Sequence, residues 1–112
     1  MSKAISEKDW KYLRGIQEEM LSDLCYRINR KAVEILNTKE ETERDKFHEL
    51  YEHIKDSDQI VGDCFDDWRR SNISFKMLFL LRHNLLTEER ISGLSEKGIE
   101  HIENLKTFNL EI

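Results

Sequence analysis

Not one of the 112 residues is a proline, where average usage would place about five or six. Proline removes a backbone donor and collides with the preceding turn, so a chain without it can carry a helical N–H ladder almost unbroken. Charged residues make up 37% of the sequence and mean hydropathy is -0.69, which supplies polar outer faces for such helices. The expected fold class is all-α: a long antiparallel helical hairpin (a stalk) followed by a compact C-terminal helical head. The length suits a single all-helical domain, 1–112, with 6–62 as the hairpin and dimerisation region and 63–108 as the head.

The first helix is expected from Ser6, a capping hydroxyl followed by Glu7 and Asp9 at the positive end of the helix dipole. Two apolar stripes then run together, one through Trp10, Leu13, Ile16, Met20 and Leu24, the other through Leu21, Cys25, Ile28, Ala32 and Ile35. Two stripes need two neighbours. A helix of about 30 residues is about 45 Å long, longer than so small a domain is wide, so part of it is expected either to meet another protomer, in a homodimer, or to project as a stalk. Asn37-Thr38 marks a turn, after which Phe47, Leu50, Tyr51, Ile54 and Val61 form a second amphipathic stripe. Gly62-Asp63 is the expected bend, with a third, largely apolar helix beginning at Cys64 and running through Met77-Leu78-Phe79-Leu80-Leu81. Asn84 is expected to end it, Thr87 to start a short fourth helix and Ser95 a fifth, and the chain from Thr107 to fray.

A formal net charge of -5 argues against nucleic acid as a partner. The longest apolar run, Met77 to Leu81, is far below the roughly 20 residues of a membrane span, and the opening MSKAISEKDW lacks a signal core. A cytoplasmic protein is expected. Cys25 and Cys64 form no CxxC pair and read as two buried thiols. His48 and His53 are five apart, hence about 140° apart on a helix, and cannot meet one metal as an HExxH pair does. His48 with Glu52, or Glu49 with His53, each offer two ligands, which leaves a metal site shared across a dimer as a lesser alternative. Asp66-Asp67-Trp68-Arg69-Arg70-Ser71 is a dense polar cluster in which Arg70 is placed to pair with Asp66; it suits either a structural network or partner recognition. No phosphate loop, cofactor motif or nucleophile with an adjacent base is apparent, so neither an enzyme nor a cofactor is expected.

From Asp67 onward the sequence resembles the fluorescence recovery protein family. Asp67, Arg69 and Ser71 match its Asp-x-Arg-x-Ser motif, and Phe75, Leu80, Leu81, Arg82, Leu85, Leu86, Glu89, Ile91, Leu94, Ile102 and Leu105 follow without a gap. The match covers about a third of the chain. The resemblance implies a homodimer with paired amino-terminal hairpins, whose heads bind the orange carotenoid protein and speed its return from the photoactivated red form to the orange resting form. It also implies a partner-binding set: Phe75 in the place of a contacting phenylalanine, Asp67 and Arg69 from the motif, and His101 where the family carries a lysine. Tyr51 and Glu52 stand, in the register that aligns the apolar positions, for a histidine and an aspartate of the dimer surface. A helical adaptor with a different protein client is the alternative.

Overall fold

The computed structural model describes residues 5–110, with side chains through 107. Every regular element among them is helical: α1 (Glu7–Leu36), α2 (Glu43–Phe65), α3 (Ile73–Arg82), α4 (Glu88–Ile91) and α5 (Glu96–Leu110). The shape is extended, 55 × 29 × 24 Å with a radius of gyration of 16.9 Å, against about 13 Å for a compact chain of this length.

Local chemistry sets most of the boundaries. Ser6 Oγ accepts from the Asp9 N–H at 3.1 Å and Thr42 Oγ from Asp45 N–H at 3.1 Å, opening α1 and α2. Thr87 caps α4, and Ser95 Oγ accepts from Gly98 N–H to open α5. Helix α3 closes in a Schellman arrangement: Asn84 takes φ 55°, its N–H reaches Leu81 O, and Leu85 N–H reaches Leu80 O at 2.9 Å.

Two boundaries differ from the sequence expectation. Gly62 does not bend the chain; α2 continues through it to Phe65, because Cys64 and Phe65 lie on the face that enters the core. Their burial outweighs the ~1 kcal/mol that an interior glycine costs. The polar cluster therefore sits not at a helix start but in the connection 66–72, closed by Asp67 at φ 56°. Arg70 turns away from Asp66 and bonds Glu7 and the Ile5 carbonyl, tying this connection to the start of α1. At the other end, α5 extends to Leu110, past the point where fraying was expected; residues 111 and 112 lie outside those described.

The core gathers where α3 meets the rest. Leu13, Met20, Met77, Leu80, Leu85 and Ile102 are fully buried, with Cys64, Ile73, Leu86, Ile91 and Leu94 around them. Polar ties then fix the short helices onto α1. The Arg90 guanidinium reaches Asp23 at 2.8 Å, Glu19 at 3.0 Å and the Leu85 carbonyl at 2.8 Å, while Tyr12 Oη donates to Arg90 O at 2.6 Å. Asp9, 1% exposed, accepts from both Ser95 N–H (2.8 Å) and Ser95 Oγ (2.6 Å) at the positive end of α5. These approaches need glycine: a Cβ on Gly98 would lie 2.5 Å from the Asp9 carboxylate, and one on Gly93 2.3 Å from the Tyr12 ring.

Helices α1 and α2 pack along each other. The ties between them step down α1 as they step up α2: His53 Nε2 lies 2.9 Å from Ile28 O, and Trp68, just past α2, stands 6.5 Å from Trp10. Trp68 Nε1 and Lys76 Nζ together satisfy the last α2 carbonyls, at Cys64, Gly62 and Asp63.

Candidate interaction surfaces

Side chains advance by 100° per residue around a helix, and that rotation divides α1 into two flanks about the buried Leu24 direction. Asp9, Tyr12, Glu19, Asp23 and Arg27 fall to one side, and all five bond the residues of 83–95. Leu21, Ala32, Cys25 and Leu36 fall about 60–120° to the other side. There the cover runs out: Cys25 is exposed, and Leu36 is 50% exposed.

On α2, Phe47, Tyr51 and Ile54 lie within about 60° of one another and about 80–140° from the buried Cys64. They are 72%, 56% and 46% exposed. A shallow groove lined by Ile28, Ile54, Ser57, Asp58 and Val61 joins the two helices on this side. The bare flank of α1 and the apolar stripe of α2 are thus one face, turned away from α3–α5. Asp58 brings a carboxylate to the groove, whereas Asp23 and Arg27 belong to the opposite flank of α1.

A second surface lies on α3. Ile73 and Met77 point into the core, while Phe75 between them is 65% exposed. Its neighbour Ser74 shares a 2.9 Å hydrogen bond with His101 Nε2 of α5. Burial pushes the His101 imidazole below its ordinary value. In the adjoining connection, Arg69 Nε pairs with Asp67 at 3.0 Å, both side chains well exposed. Asn72 braces the loop, accepting from Arg69 N–H and donating to Asp67 O.

The six residues singled out in the sequence therefore fall on two surfaces. Phe75 and His101 sit on the same part of α3 and α5, with Asp67 and Arg69 in the loop that leads to it. Tyr51 and Glu52 lie on α2, about 16 Å along the helix from the Gly62 turn that Lys76 contacts.

The lesser metal alternative gains nothing from this geometry. His53 is half-buried and occupied by Ile28 O and by Ser57 Oγ at 3.4 Å, rather than an exposed partner of Glu49. Among the described residues no group of three or more His, Cys, Asp or Glu side chains is disposed to hold a metal. The expectation of two buried thiols holds for Cys64 alone. Burial pushes its thiol up to about 11, whereas Cys25 lies open on the bare flank. Sequence reasoning missed the Arg90 clamp, the Asp9–Ser95 cap and the Ser74–His101 pair, whose partners are 27 to 86 residues apart. Among the described residues no helix is long and apolar enough to cross a membrane. Compared with known proteins, the chain matches no family model, no curated protein and no solved structure.

Proposed function

We propose that this chain is a non-enzymatic regulatory protein that acts as a homodimer through protein–protein contact. In this reading α1 and α2 form a helical hairpin whose bare face takes a second copy, and the head, from residue 63 onward, presents Phe75 to a client. The observation that carries it is the exposure of the large apolar side chains Leu36, Phe47, Tyr51 and Ile54, each at least 46% exposed. Apolar surface of this kind is what a protein contact covers. A second copy is the proposed occupant, since pairing about a two-fold axis sets each such apolar face against its own equivalent.

The head follows the same logic on a smaller scale. An aromatic ring held out from a helix whose other side is locked in the core is a preorganised anchor, and exposed aromatic and arginine side chains are the usual centres of binding energy. Phe75, Asp67, Arg69 and His101 form the client surface. Tyr51 and Glu52 belong to the dimer face, as the resemblance to the fluorescence recovery protein family implies. The client is a carotenoid-protein-like photoreceptor whose relaxation to the resting state is accelerated. That action requires tighter binding to an intermediate of the relaxation than to the starting state.

Purified orange carotenoid protein provides the test. The chain is expected to bind it and to speed the red-to-orange recovery, and Phe75→Ala to weaken binding by about tenfold or more with unchanged helicity. Absence of any complex with the wild-type chain would overturn the client assignment. An unchanged affinity in the variant would overturn the site.

A further inference from the structure

We propose that the Ser74–His101 bridge makes the face around Phe75 acid-sensitive, a neutral His101 tying α5 to the first turn of α3 and its protonation loosening that tie. That the face serves docking rests on the function proposed above; the acid sensitivity does not.

The argument is geometric. Ser74 Oγ and His101 Nε2 are 2.9 Å apart and half-buried. Ser74 directly precedes Phe75, and His101 directly precedes the fully buried Ile102. A neutral imidazole leaves one ring nitrogen able to accept the serine hydroxyl, whereas an imidazolium only donates. In the tautomer with its proton on Nδ1, protonation at Nε2 forces Ser74 to reverse its hydroxyl, and in either tautomer a cation must form where water is partly excluded.

Within α5, Lys97 stands one turn before His101, while Glu100 and Glu103 are exposed. Lys76 of α3 is engaged with the Gly62 and Asp63 carbonyls. Burial is the cause that lowers the imidazole. A folded-state value below the ordinary 6.5 means that the stability tied to neutral His101 is present above that pH and lost as pH falls below it.

The test is a titration of the full chain followed by nuclear magnetic resonance, together with chemical denaturation at about pH 7.5 and about pH 5.5, either side of the histidine range. His101 is expected to titrate below its ordinary value, with the Phe75 amide signal moving along the same curve. The denaturation midpoint should be lower at the acid pH, and His101→Gln should shrink that difference. The wild-type titration decides the matter if the variant fails to fold. His101 titrating at its ordinary value or above, or a Phe75 signal that does not follow it, would overturn the proposal. These readouts involve no client, so a failure of client binding leaves them untouched.

Discussion

The two ends of the α1–α2 pair are built from similar amphipathic helix, yet they differ in what holds them. Near residues 9–24 of α1 and 57–65 of α2, buried side chains and the α3–α5 layer cover both helices, and Arg90, Asp9 and Tyr12 supply polar ties across 67 to 86 residues of sequence. Between residues 25 and 56 the one buried side chain is Ile35. There Tyr26, Val33, Leu36, Phe47, Tyr51 and Ile54 are all more than 40% exposed. Periodicity alone does not distinguish the two ends; what distinguishes them is whether the chain itself provides a neighbour. The near end is a finished core, and the far end leaves its apolar side chains uncovered.

The largest effect expected from that difference is in the near end. Met77→Ala should cost about 2–5 kcal/mol of unfolding free energy, since Met77 is fully buried and truncation leaves a cavity. In dilute protein Phe47→Ala should cost about 0.5 kcal/mol or less, as for an exposed site. Denaturant titration of both variants checks the contrast, and equal losses would break it.

A buried polar tie sits in the middle of the scale. Asp9→Ala removes the acceptor of two Ser95 bonds and should cost about 1–3 kcal/mol, the penalty of leaving a buried donor unpaired. The loss should appear as fraying of α5 in amide hydrogen exchange, with α2 unaffected.

The two thiols sharpen the comparison kinetically. Cys64 is fully buried with its thiol pushed up to about 11, and should react with a thiol reagent only on unfolding. Cys25, on the bare flank, should react readily in dilute protein and more slowly as concentration rises and a second copy covers it. A small effect is also expected at the Asp67–Arg69 pair. It is solvent-exposed, so Arg69→Ala should change stability by less than about 1 kcal/mol while leaving any client contact to be read separately.

How much of this was legible in the sequence follows from the range of each interaction. The caps at Ser6, Thr87 and Ser95 and the left-handed Asn84 are local devices, and each was readable because its partner lies within a turn or two. Gly62 was misread because a local breaker is overruled when the residues beyond it, Cys64 and Phe65, find a core. Cys25 was misread for the converse reason: it has the spacing of a buried residue, but the neighbour that spacing asks for is not supplied by the single chain. The Ser74–His101 pair left no trace, since helix periodicity does not report which polar residues of different helices meet. Phe75 also lies within an apolar segment, and only packing reveals that α3 turns it outward.

The central claim is that the far end of the α1–α2 pair is completed by a second copy of the chain. Light scattering across a concentration series tests it most directly, with Tyr51→Ser as the interface variant. The account predicts twice the 13.5 kDa chain mass for the wild type and a shift toward the single-chain mass in the variant. A wild-type mass that stays at one chain throughout the series would contradict it.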